Sequence, residues 1–124
     1  MAATPMIQIF HNARCSKSRA ALLLAEQAAD RLDETLCIRD YLSDPLSLSE
    51  LTLLLEQLAA PVHTLLREDD ARQLCPAVLL QRDSAAAVLQ AIVQEPRLLQ
   101  RPVVVRNGRA VIGRPPEAVS VLFD

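Results

Sequence analysis

Cys15 stands in the run His11-Asn12-Ala13-Arg14-Cys15-Ser16-Lys17-Ser18-Arg19, where an apolar stretch gives way to helix-forming residues. A cysteine at such a junction lies beside the unpaired N–H groups of a helix start, whose partial positive charge favours the nucleophilic thiolate over the thiol. His11, Arg14, Lys17 and Arg19 are close enough in sequence to add positive potential. The same setting suits a buried, inert cysteine, and the local sequence leaves both readings open. Ser18 occupies the third position after the cysteine, so the loop reads Cys-x-x-Ser. That excludes a dithiol cycle within the loop, and an oxidised Cys15 must be released by Cys37, by Cys75 or by an external thiol. Cys37 falls among apolar strand residues and is assigned to the core. Cys75 precedes a proline in the least patterned region, where a resolving role stays open.

Arginines recur in three later segments: Leu65-Leu66-Arg67, Arg101-Pro102-Val103-Val104-Val105 and Ile112-Gly113-Arg114-Pro115. Guanidinium presents fixed pairs of donors to an oxyanion, and several cations are needed where an anionic sulfur is to approach an anionic substrate. Taken singly, each arginine suits a solvated surface residue better than a binding group. Three cysteines at these positions make no metal-ligand spacing, and an odd count argues against a disulfide framework.

The elements that position these residues are legible in the hydrophobic pattern. Met6 to Phe10 reads as a strand, Ser16 to about Ala29 as a helix, and Glu34 to Tyr41 as a second strand that the intervening helix makes parallel to the first. Ser47-Leu48-Ser49-Glu50 has the form of a capping box and opens a helix to about Ala59, which Pro61 ends. His63 to Arg67 suits one helical turn, Glu68-Asp69-Asp70 reads as a solvated surface run, and Ser84 to about Gln94 forms a further helix before Pro96. Pro102 to Arg106 and Arg109 to Ile112 are strands joined at Asn107-Gly108, a strong two-residue hairpin signal. Pro115-Pro116-Glu117 suits the opening of a final helix through about Phe123. The order is βαβ, helices, then ββα: an α/β fold with a mixed four-stranded sheet, expected as a single domain over residues 1–124 with a helical insertion at about 45–96.

Composition narrows the function. The chain has 124 residues, 13 Lys and Arg against 15 Asp and Glu, and a net charge of −2, so no field attracts a phosphate backbone. With aromatic residues at 2%, platforms for stacking bases are lacking too, and nucleic acid is not expected as a partner. The opening Met-Ala-Ala-Thr-Pro lacks the basic start and apolar run of a signal peptide, and no apolar stretch approaches the roughly 20 residues that span a bilayer. The expected setting is the cytoplasm, without a membrane partner.

Taken together, the segments resemble the glutaredoxin-dependent arsenate reductase family over residues 6–123. The family pattern His-Asn-x-x-Cys, with Ser-Arg after two further residues, stands here as His11 to Arg19, and Leu65-Leu66-Arg67, Arg101 to Val105 and Gly113-Arg114-Pro115 match three further family segments in order. The resemblance implies a thioredoxin-like fold, Cys15 as nucleophile with His11 as electrostatic helper, and Arg67, Arg101 and Arg114 as the set that binds the oxyanion. His11 read alone equally suits a hydrogen-bonded residue closing the loop. It further implies that Asn12, Ser18 and Arg19 shape the site, that Pro102 is the cis-proline of the fold, and that no cofactor is bound, with glutathione as co-substrate and glutaredoxin as partner. Many members read Asn-Pro-Ala-Cys-Gly-Thr-Ser. Ala13-Arg14 and Ser16-Lys17 place this chain nearer the arsenate-reductase-like branch with Arg-Cys-Ser-Lys-Ser. Two rival functions follow from the same loop: a monothiol oxidoreductase exchanging glutathione on proteins, and an Spx-like regulator binding RNA polymerase. Spx-like proteins usually carry Cys-x-x-Cys, and Ser18 counts against that reading.

Overall fold

Ile7 and Ile9 alternate with Gln8 in strand β1, Met6–His11, and both isoleucines are fully buried. The computed structural model describes residues 6–124. Helix α1, Ser16–Leu32, turns Ala21, Ala25, Ala28 and Ala29 toward these isoleucines. Small side chains at that helical spacing let the helix axis approach the strand closely. Asp33, in the left-handed region at φ 55°, ends the helix by donating its N–H to the carbonyls of Ala29 and Asp30. The chain then returns as strand β2, Thr35–Asp40, parallel to β1 with Ile7 opposite Leu36 and His11 opposite Asp40.

Two further strands, β3 (Val103–Arg106) and β4 (Arg109–Ile112), complete a mixed sheet in the order β2-β1-β3-β4. β3 is antiparallel to β1, and β4 is antiparallel to β3. Asn107 at φ 52° and Gly108 at φ 75° make the two-residue turn between them, whose twist matches the strands. Val104 joins Ile7, Ile9 and the alanines of α1 in one core with Val119, Leu122 and Phe123. These last three come from Pro116–Phe123, where a 3₁₀ helix replaces the expected final α-helix.

The chain forms two compact units: residues 6–41 with 101–124, which hold the sheet and α1, and Leu42–Gln100. In the second unit, α2 (Leu48–Leu58) starts on the capping box, with Ser47 Oγ accepting from the Glu50 N–H at 3.2 Å and Glu50 Oε1 from the Ser47 N–H at 2.9 Å. The single turn expected at 63–67 is a 3₁₀ turn over Val62–Leu65, after which Leu66 bridges to Leu99. The acidic run is not a bare surface. Glu68, Asp69 and Asp70 form the first turn of helix α3, Glu68–Leu74, where carboxylates favour the positive helix end. Each also meets an arginine, Glu68 with Arg82, Asp69 with Arg72 and Asp70 with Arg67. Helix α4, Ala85–Gln94, is capped by Ser84 and packs on α2.

Cys37 departs from its core assignment. β2 is an edge strand, and Cys37, opposite Gln8, is only partly buried. Among the described residues no helix is long and apolar enough to cross a membrane, and no group of three or more His, Cys, Asp and Glu side chains gathers as a metal site.

One ion pair ties the sheet to the chain's last turn. Arg106 Nη2 and Nε donate to Glu34 Oε2 and Oε1 at 2.6 and 3.0 Å, and Nη1 donates to the Leu122 carbonyl at 2.7 Å. The side chains are 15% and 7% exposed, so water screens the pair poorly. The Arg106 hydrogen bonds hold the Glu34 carboxyl below its ordinary value. A depressed carboxyl stabilises the fold above its unfolded value and loses that contribution as pH falls through the folded one. Glu34→Gln is therefore expected to cost about 3 kcal/mol in urea unfolding at pH 7. The gap to wild type should close in acid below about pH 4, as the wild-type carboxylate is itself protonated.

Candidate active site

The loop from β1 to α1 is built by short-range hydrogen bonds that fix the cysteine at the helix start. Asn12 holds both sides of the turn: its carbonyl accepts from the Cys15 N–H at 3.0 Å and its Oδ1 from the Arg14 N–H at 3.0 Å. Arg19 Nη1 reaches back to the Ala13 carbonyl at 2.9 Å. Cys15 is the N-cap of α1, in extended conformation, and its carbonyl accepts the Arg19 N–H at 3.0 Å. Its sulfur is thereby turned to the open N–H groups of the first turn.

Burial pushes the Cys15 thiol up, yet the balance of forces brings it from 9.0 to about 7. What reverses the effect of burial is the backbone N–H groups of Ser18 and Lys17, then the Ser18 hydroxyl and the Arg101 guanidinium, all favouring the charged sulfur. Ser18 is fully buried, and its Oγ accepts the Asn12 N–H at 3.4 Å, leaving its own proton for the sulfur. A residue read from sequence as a missing second thiol is thus a hydrogen-bond donor to the first. Near neutral pH a large share of Cys15 is thiolate, so the local physics favours the reactive reading over the inert one.

His11 ends β1 and is 8% exposed. Burial pulls its imidazole below the ordinary value, with Asp40 and Glu26 opposing and Arg19 adding to the fall. It is neutral at pH 7, and any support it gives the thiolate comes through position rather than through charge. Its Nδ1 is buried without a hydrogen-bond partner.

Arg101 and Arg114 meet at the opposite end of the hairpin from its turn. Arg114 Nη1 donates to the Arg101 carbonyl at 2.9 Å, so one arginine fixes the backbone that carries the other. The bond from Arg101 to Pro102 is cis, as expected, and that from Arg114 to Pro115 is cis as well. Gly113 donates its N–H to the Pro102 carbonyl at 2.9 Å, and a Cβ at Gly113 would lie 2.7 Å from Pro102 Cγ. Only glycine admits that approach. Cys15, Ser18, His11, Arg101 and Arg114 thus belong to one unit. Arg67 belongs to the other, where its N–H donates to the Leu98 carbonyl at 2.7 Å and its Nε to Asp70 Oδ2 at 3.0 Å. Cys75 also lies there, partly buried at the end of α3.

Gly113 escaped the sequence reading as a shaper of the site, although a glycine directly before Arg114 signals a close backbone approach.

A family model described as the ArsC family matches residues 10–122. The chain is 39% identical over 122 residues to a Neisseria meningitidis protein named arsenate reductase, which covers 96% of this chain and 99% of that one. It is 38% identical over 117 residues to the uncharacterized protein YfgD of Escherichia coli, covering 94% and 95% of the two chains. Among solved structures, an arsenate reductase from Vibrio cholerae superposes with a TM-score of 0.77 at 32% identity, over 97% of this chain and 99% of its own. The thioredoxin-like α/β fold expected from the sequence is the fold of this chain.

Alkylation of Cys15 by iodoacetamide, followed by mass spectrometry across pH, is expected to show a midpoint near 7. Ser18→Ala removes the hydroxyl donor from the sulfur and should raise that midpoint by roughly half to one pH unit. Gly113→Ala should lower stability by about 1–3 kcal/mol, read as a fall in the urea midpoint, because Pro102 must shift to admit the methyl group.

Proposed function

The chain belongs to the ArsC family, and from that premise we propose that it reduces arsenate to arsenite through a covalent intermediate on Cys15. What supports this reading is the placing of Cys15 at the start of α1 and of Arg101 ahead of β3, at neighbouring strand ends of the sheet, with the Arg101 guanidinium among the groups that favour the thiolate. Arg114 supports it by fixing the Arg101 backbone.

The thiolate attacks arsenic, an As–S bond forms, and one arsenate oxygen leaves as water after protonation. The arginines carry the anionic charge that would otherwise repel the sulfur, and guanidinium donors hold the tetrahedral oxygens as the bond forms. Ser18 stands where a resolving cysteine would be, so the loop holds no second thiol, and the proposal assigns that role to an external one. Glutathione attacks the Cys15 sulfur, the As–S pair of electrons passes to arsenic, and arsenite departs from a mixed disulfide. Glutaredoxin then takes the glutathione and returns Cys15 as a thiol. The cycle calls for no resident metal or organic cofactor, and it belongs to a compartment rich in reduced glutathione, such as the cytoplasm.

Arsenate-dependent NADPH oxidation with glutathione, glutaredoxin and glutathione reductase tests the reading. Wild type should turn over and Cys15→Ser should fall to the background rate. Equal rates for the two proteins would sink the proposal. Glutathionylation of Cys15 without arsenate turnover would instead favour a monothiol oxidoreductase.

A further inference from the structure

Acids suit the positive start of a helix, and two helices of the chain follow that rule, with Glu50 in the first turn of α2 and Glu68, Asp69 and Asp70 in that of α3. The first turn of α1 holds no acid. It carries Lys17 instead, two residues after Cys15, and Arg14 stands directly before the cysteine. A cation at the positive end of a helix lowers stability, so these charges call for another role. Both side chains are exposed, and neither makes a hydrogen bond or ion pair with another described residue. Arg19, by contrast, is engaged by the Ala13 carbonyl. The Arg14 N–H is held by Asn12 Oδ1 at 3.0 Å, so its side chain leaves from a fixed backbone. Two peptide units at most separate either residue from Cys15, about 7.6 Å between Cα atoms, which lies inside the screening length of about 8 Å in physiological salt. The half-buried cysteine is thus approached through a positive local field, although the chain as a whole carries −2.

We propose that Arg14 and Lys17 select the thiol that regenerates Cys15, favouring a small thiol that carries carboxylates over neutral or cationic ones. The inference rests on the proposed release of Cys15 by an external thiol, and it holds whichever oxyanion is reduced. Once Cys15 is bonded to arsenic or to another sulfur, its own negative charge is gone. The two cations then have no anion on the cysteine to oppose, and their field acts on whatever thiol arrives. Glutathione is the thiol of this class: its sulfur stands between two carboxylates, as Cys15 stands between Arg14 and Lys17 in the chain. A guanidinium meets a carboxylate with paired donors and an ammonium meets one as a point charge, so both ends of such a thiol find a partner.

Thiol exchange on Cys15 tests the proposal. In a Cys37→Ser/Cys75→Ser protein, methyl methanethiosulfonate converts Cys15 to a methyl disulfide and leaves as methanesulfinate. A thiolate then attacks the disulfide, one sulfur departs with the bonding pair, and mass spectrometry follows loss of the adduct. The thiols compared are glutathione, neutral 2-mercaptoethanol and cationic cysteamine. At low salt, adding Arg14→Gln and Lys17→Gln is expected to lower the glutathione-to-mercaptoethanol rate ratio about fivefold, each charge at roughly 8 Å in water being worth about twofold. The cysteamine-to-mercaptoethanol ratio should rise. An effect on the Cys15 sulfur itself, or on access to it, acts on all three thiols alike and cancels in these ratios. With both cations in place the glutathione ratio should fall as salt is raised. Ratios that are the same in the two proteins, or a glutathione ratio indifferent to salt, overturn the proposal. No arsenate enters the assay, so its failure is distinct from a failure of arsenate turnover.

Discussion

A sulfur anion drawn partly out of water must find compensation within a few ångströms, and the geometry around Cys15 follows from that demand. The helix start supplies two backbone N–H groups, which no side chain can supply so rigidly, because they are fixed by α1 itself. Ser18 and Arg101 add a hydroxyl and a guanidinium, and together these donors outweigh the burial that opposes the charge. The thiolate thus depends on residues from opposite ends of the sequence. It requires the β1–α1 loop and the entry to β3 to be held side by side.

That requirement explains the structural economy of the sheet. β3 lies next to β1, with Phe10 opposite Val103, so the strand ends that carry Cys15 and Arg101 leave the sheet close together. At the far end of the same strands, Arg106 binds Glu34 and the Leu122 carbonyl, fastening the sheet to the last turn of the chain. At the near end, Gly113 lets the β4 exit lie against Pro102 without a side chain between them, and Arg114 closes the contact through the Arg101 carbonyl. Core packing of Ile7, Ile9 and Val104 against the alanines of α1 fixes the helix on which the sulfur depends. Stability and chemistry meet in the same strands.

Much of this was legible in the sequence because local chemistry agrees with the fold. Asn107-Gly108 specifies a turn that needs two positive φ angles, and Ser47 with Glu50 specifies a helix start by reciprocal hydrogen bonds. The Cys15 loop was legible for the same reason, as a strand that empties into a helix. What escaped depends on three-dimensional neighbours. Alternation gave Cys37 a face but could not reveal that β2 is an edge, so its core assignment failed. The run Glu68-Asp69-Asp70 looks solvated until the helix it opens is in view, and the final segment takes the tighter 3₁₀ form after two successive prolines. Ser18 as a donor to the Cys15 sulfur and Tyr41 as a fully buried side chain are consequences of packing, and nothing in their spacing announces them.

The proposed reduction requires Cys15 and Arg101 to form one place where an oxyanion is received and attacked. A crystal structure of the protein grown with arsenate, with arsenic located by its anomalous scattering, tests this most directly. The predicted result is an arsenic peak at the Cys15 sulfur, its oxygens facing the Arg101 guanidinium. Ordered arsenic bound elsewhere, with the Cys15 sulfur bare, would contradict it.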